Sequence, residues 1–275
     1  MKIRIIDKIV QGIKTSDGAG VTLTRIIGSP ELNMLDPFLL LDEFGSENPN
    51  DYISGFPPHP HRGFETITYM LNGKFRHKDS AGNEGLLSDG SVQWMTAGRG
   101  VIHSEMPEQS NGLVRGFQLW LNLPKKLKMM KPSYYDIPQE EIPQIDIPGG
   151  SIKVIAGKYN DIKGPGNPYT GMFYHDIILK KNSNFNIPLQ DGWNVFIYVY
   201  EGSIMIDREV SRKSLAVLKS IGDLELSTKH NSAKFILIGG KPLNEPVARG
   251  GPFVMNTKQE VVQAFSDYQN GFLDK

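Results

Sequence analysis

The chain has 275 residues, with 30 Lys plus Arg balanced by 30 Asp plus Glu, no cysteine, and a hydrophobic fraction of 39%. A zero net charge without a dense basic stripe argues against direct nucleic-acid binding, and the missing thiols exclude disulfides, cysteine nucleophiles and zinc–cysteine sites. No apolar stretch reaches membrane-spanning length, and Asp7, Lys8 and Gln11 interrupt the N-terminal pattern MKIRIIDKIVQGIKTSDG, so a soluble, cytoplasmic protein without membrane contact is expected.

In chain order, strand-length apolar runs fall at 63–70, 92–95, 114–121, 177–179, 195–200 and 235–238, rich in Val, Ile, Phe and Tyr and bounded by turn residues. The 29 glycines and 18 prolines supply the turns between them. This is the pattern of a mainly β chain built of sandwiches or barrels. One stretch departs from it. Residues 124–150 carry Pro124, Pro132, Pro138, Pro143 and Pro148, a density that disfavours helix and central strand, and they read as a surface connector between two domains. The basic cluster Lys125, Lys126, Lys128 and Lys131 within it reads as a solvated face.

The halves on either side resemble each other. FETITYMLNGKFRH (64–77) parallels WNVFIYVYEGSIMI (193–206), each an alternating run, a glycine (Gly73, Gly202) and a second strand. SDGSVQWMTAGRG (88–100) parallels SIGDLELSTKHNS (220–232), so two copies of one barrel are expected. Near the C-terminus, Thr257 and Glu260 form a capping box. Val261, Ala264, Phe265 and Tyr268 follow at helical spacing as a stripe expected to be buried, and Gly271 stands at the C-terminal cap.

Two pairs of candidate ligands stand out among only six histidines. In GFPPHPHRGFE (55–65), Pro60 separates His59 from His61. Residues i and i+2 of a strand share a face about 6.6 Å apart, and proline holds its predecessor extended, so the two imidazoles are preset to converge on one small ion. His103 and Glu105 repeat the i, i+2 spacing after the turn Gly98-Arg99-Gly100. Three imidazoles and one carboxylate suit Fe, Mn, Ni, Cu or Zn, with positions left open for substrate and a small molecule such as O2. Glu65 has the parity of His61 but lies too far along an extended chain to join them, unless Gly63 bends it back. It reads as a supporting residue, with Arg62 or Arg99 as its salt-bridge partner. His77, in a polar turn sequence, reads as exposed, and His175 and His230 have no partner at i+2.

The blocks HPHRGFET, GKFRHKDSAGN and QWMTAGRGVIHSE, together with GKPLNEPVARGGPFVMNTKQEVVQAFSDYQNG (240–271), resemble the pirin family, bicupins of the cupin superfamily. The resemblance implies two tandem cupin barrels with a short C-terminal helix: residues 1–130 as a metal-binding domain and 131–275 as a cupin-like domain without metal ligands. It carries the metal ligands over to His59, His61, His103 and Glu105, and implies iron, most simply Fe(II), with Mn, Ni, Cu or Zn as alternatives. Aligning Gly202 on Gly73 sets Pro188, Gln190, Ser232 and Lys234 opposite those four residues, which leaves the second barrel without ligands.

The resemblance further implies an enzyme of the quercetin 2,3-dioxygenase type, taking a small aromatic flavonol and O2, with Glu105 as general base. Phe56, Met95 and Val101 are candidates to line its pocket. The alternative it implies is a redox-sensitive iron protein that binds a protein partner as a regulatory cofactor, without turnover. A monomer is expected.

Overall fold

A computed structural model describes residues 2–275. Among the described residues the structure is mainly antiparallel β, with one α-helix, Lys258–Gln269. It divides into two compact units. One comprises Ile13–Gly28, Phe38–Gln139 and Leu243–Lys275; the other comprises Ser29–Pro37, Glu140–Pro242 and the N-terminal stretch ending at Gly12. The units therefore do not follow a single cut near residue 130.

Strand pairing gives the reason. Ile6–Gln11 pairs with Ser214–Leu218 and forms one edge of the second unit's seven-stranded sheet, and Ile6 packs into that unit's core. At the other end of the chain, Phe253, Ala264 and Leu273 form a buried cluster against Ile102 of the first unit. Each apolar set is buried only when a segment from the far terminus joins it.

The first unit contains a seven-stranded sheet in the order Ser133–Ile137, Val92–Thr96, Phe64–Asn72, Val114–Asn122, Phe38–Ser46, Val21–Ile27, Ile13–Asp17. Its inner strand Phe64–Asn72 is buried on both faces, so the polar Glu65, Thr66 and Thr68 of its alternating run lie inside beside Phe64, Ile67 and Tyr69. A second sheet orders Phe56–His61, Val101–Pro107, Phe75–Asp79 and Glu84–Leu87. The second unit repeats this arrangement: seven strands with Asn194–Glu201 and Ala233–Gly240 at the centre, and four strands in the order Asn184–Ile187, Leu224–Ser227, Ser203–Met205, Glu209–Ser211.

The topology shifts the internal alignment. Leu224–Ser227 occupies in its sheet the place of Val101–Pro107, not that of Val92–Thr96. Its register pairs Phe185 with Leu226 and Ile187 with Leu224. Buried Phe185, Ile187 and Leu226, rather than Pro188, Gln190 and Ser232, thus hold the positions that histidines hold in the first unit.

The proline-rich stretch is more than a connector. Ser133–Ile137 pairs with Val92–Thr96, and Gln144–Ile147 pairs with Gly150–Ala156, each at the edge of a seven-stranded sheet. An edge strand tolerates flanking prolines because one side of its backbone needs no partner. Lys128 within this stretch is 1% exposed, not solvated. Its ammonium donates to Gly63 O, Asn122 Oδ1 and Val254 O at 2.8, 2.6 and 2.9 Å. The helix is capped as expected by Thr257 and Glu260. It buries Val261 and Ala264, whereas Phe265 and Tyr268 are each 39% exposed and meet Phe253 only at their ring edges.

Candidate metal centre

Strand Phe56–His61 lies antiparallel to Val101–Pro107, setting His59 opposite His103 and His61 opposite Val101. Pro60, which has no N–H to offer a ladder, stands between the two histidines. Behind His61 the chain turns at Gly63, whose φ is +91°. A Cβ there would lie 2.0 Å from the Val254 carbonyl oxygen, so only glycine admits the turn that carries the chain into the inner strand Phe64–Asn72. The result is a cluster of three rings, with centroids 4.7 Å apart for His59–His61, 4.3 Å for His59–His103 and 4.9 Å for His61–His103. One nitrogen from each lies within 4.8 Å of the others, and His61 and His103 are almost fully buried.

The donor set fits a transition metal. In each ring Nδ1 faces a partner: His59 the Pro57 carbonyl at 2.8 Å, His61 the Pro252 carbonyl at 3.4 Å, and His103 the Nδ1 of His77 at 3.4 Å. Contacts of this kind fix ring orientation and leave Nε2 for coordination. Nε2 of His103 is buried with no hydrogen-bond partner, a cost that an ion would relieve. Burial, with the neighbouring imidazoles as a second cause, pushes His61 and His103 well below the usual histidine range. Both rings are therefore neutral at physiological pH, the form whose lone pair binds metal.

Glu105 stands outside the three-nitrogen group. The ladder shifts register between His103 and Glu105, which sets Glu105 opposite Phe56. Its carboxylate is buried and accepts from Thr68 Oγ1 at 3.2 Å and from Gln118 Nε2 at 3.1 Å. Glu65 is fully buried and accepts from Trp94 Nε1 at 2.9 Å and Thr96 Oγ1 at 3.2 Å. Neither arginine expected to pair with it does so. The Arg62 guanidinium goes to Asp267 at 2.6 Å and to backbone carbonyls, including that of Arg99.

His77 is the main correction to the reading from sequence. It is 0% exposed, stacked on Tyr134 at 4.4 Å, and touches both His103 and Asp79, whose Oδ2 lies 3.6 Å from its Nε2. The charged neighbours Arg76 and Lys78 obscure this, but His77 shares strand parity with buried Phe75, which is the signal that places it inside.

A cleft of about 540 Å³ opens beside His59 and His61. Phe56 lines it as expected, whereas Met95 and Val101 pack instead with Ala97 and Tyr134 in a separate core cluster. Reading the sequence missed Gln118 and Trp120, two residues of one strand at i and i+2, and Arg249 from the distant C-terminal segment. The Trp120 ring stands 5.1 Å from that of His61, and the Arg249 guanidinium lies over it, 5.0 Å from the centroid.

Comparison with known proteins agrees with this architecture. The family profile described as Pirin matches residues 20–121, and that described as Pirin C-terminal cupin domain matches residues 174–274. A Pseudomonas aeruginosa protein, named provisionally as a quercetin 2,3-dioxygenase, is 47% identical over 282 residues that cover 99% of both chains. Human pirin is 41% identical over 262 residues, covering 93% of this chain and 89% of its own. A solved structure of quercetin 2,3-dioxygenase from Acinetobacter baumannii superposes with a TM-score of 0.91 at 34% identity, covering 98% of this chain and 99% of the other.

Proposed function

The chain belongs to the pirin family of two-cupin proteins, and on that footing we propose that it is a metal-dependent dioxygenase of the quercetin 2,3-dioxygenase type, with iron as its metal. The observation that carries this reading is the cluster of three imidazoles, two of which, His59 and His61, wall a cleft whose other surfaces include Phe56, Pro57, Pro58 and Trp120. Flat apolar walls with a few convergent polar groups suit a planar aromatic ligand.

His59, His61 and His103 hold the ion, and Glu105 completes the donor set or stays free as a base. Mn, Ni, Cu and Zn fit the same donors. When bound, the ion supplies Lewis acidity at the flavonol's oxygens and a redox partner for O2. The protein's own contribution is positional. Gln118 and Thr68 hold the Glu105 carboxylate by hydrogen bonds to its oxygens, next to Phe56 of the cleft. From there Glu105 takes the proton of the acidic flavonol hydroxyl, which raises the electron density of the ring for attack by O2. The ring opens with both oxygen atoms incorporated and one carbon lost as carbon monoxide. The apolar walls keep water from the reacting ring.

Oxygen consumption and carbon monoxide release by the iron-loaded protein with quercetin test this. Uptake by the wild type that is lost in His59→Ala supports the reading. No uptake, or equal uptake by the variant, rejects it.

A further inference from the structure

We propose that Arg249 makes this cleft selective for aromatic anions, taking an anionic oxygen at the end of the ligand away from the imidazoles. This rests on the reading that the cleft beside His59 and His61 is where substrate binds.

The argument begins with the charges that line the cleft. They are Asp17, Arg25 and Arg249, beside the imidazoles of His59 and His61. Arg25 is already spent. It bonds Asp42 through Nε and Nη2 at 3.0 and 2.7 Å, and Asp17 through Nη2 at 2.7 Å. Its single charge is thus shared between two carboxylates, buried Asp42 and Asp17 at the cleft wall, and it has none to offer a ligand. Arg249 is in the opposite condition. Among the described residues it forms no ion pair, and of its five N–H groups one is engaged, Nη1 donating to the Leu39 carbonyl at 3.1 Å. The remaining donors belong to an exposed side chain that borders the cleft.

Its position is fixed nonetheless. The guanidinium lies 5.0 Å over the Trp120 ring, and strand Ala248–Gly250, paired with Phe253–Met255, holds its backbone. Cation–π contact orients the group without consuming its hydrogen-bonding edge. The same Trp120 ring stands 5.1 Å from His61, so the guanidinium lies no more than about 10 Å from that imidazole. A planar ligand of two or three fused or linked rings bridges that gap, one end at the imidazoles and the other within reach of a forked donor suited to carboxylate, sulfonate or phenolate oxygens.

A pair of probes of equal size and different charge tests this: 2-naphthoate and 2-naphthamide. Binding is followed by quenching of tryptophan fluorescence in the metal-loaded wild type, Arg249→Gln and Arg249→Lys. The inference expects the wild type to bind naphthoate at least about tenfold more tightly than naphthamide, the worth of one charge-assisted hydrogen bond. It expects that preference to vanish in Arg249→Gln and to survive in part in Arg249→Lys. Equal binding of the two probes by the wild type, no binding of naphthoate, or a preference undiminished in Arg249→Gln overturns it, the last outcome placing the anion at the metal instead. Oxygen uptake with quercetin is scored separately. A naphthoate preference that depends on Arg249, with no turnover of quercetin, rejects the flavonol reading and leaves the anion site standing.

Discussion

Replacing His77 by Phe isolates one contact of the candidate metal centre. His77 has no exposed surface and stacks on Tyr134 with planes 18° apart, so a phenyl ring refills its space and keeps the stacking. What is lost is the nitrogen 3.4 Å from Nδ1 of His103, with the contact that orients that imidazole, and the approach of the His77 Nε2 to Asp79 Oδ2 at 3.6 Å on the side away from His103 Nδ1 is lost with it. Removing such a supporting partner costs about 10- to 100-fold in metal affinity, or about 1.4–2.7 kcal/mol. The fold itself is expected to lose no more than about 1 kcal/mol, because one long hydrogen bond is exchanged for apolar burial. Affinity is measured by competition with a chromophoric chelator, and metal-free stability by urea unfolding of the same preparations. His77→Gln, which restores a polar partner, is expected to recover part of the affinity. Unchanged metal affinity in a folded His77→Phe refutes the argument, and so does a loss matched by equal destabilisation of the metal-free protein.

Other outcomes follow from the same structure. Burial pushes His175 down to about 4, below its ordinary 6.5, so the unfolded chain binds more protons between those values and stability falls as pH drops through that window. The full effect is about 3 kcal/mol, and His175→Phe is expected to flatten the difference in urea midpoint between pH 7 and pH 5; an identical pH dependence in both proteins contradicts this. Glu105→Gln is expected to slow oxygen uptake with quercetin by about 100-fold or more, and a rate within a factor of two of wild type removes Glu105 as the base. Phe253→Ala is expected to cost about 3–5 kcal/mol, since Phe253 is fully buried against Ala264 and Leu273; a loss in urea unfolding below about 1 kcal/mol contradicts the packing described.

Much of the architecture is legible in local pattern because strands announce themselves by composition and period. All six apolar runs chosen from sequence lie in or across strands, and the capping box of Thr257 and Glu260 forms as read. The spacing His59-Pro60-His61 likewise announces a shared face, and the structure brings both rings to His103. What escaped depends on partners far apart in the chain. Lys128 is buried because three oxygens from Gly63, Asn122 and Val254 surround it, and nothing near residue 128 reveals them. Phe265 stays partly exposed although it shares the apolar stripe with Val261 and Ala264, and only those two are buried. Glu105 has the strand parity of His103, yet a register shift between them turns its carboxylate to Gln118 and Thr68, and parity alone does not foresee an irregular ladder.

The central claim is that His59, His61 and His103 hold one transition-metal ion. Elemental analysis of the protein purified without a chelating column, beside His61→Ala and His103→Ala variants shown to be folded, tests it most directly. The account predicts close to one bound ion per chain in the wild type and little in either variant. A folded wild type without transition metal, or variants that retain the full complement, contradicts it.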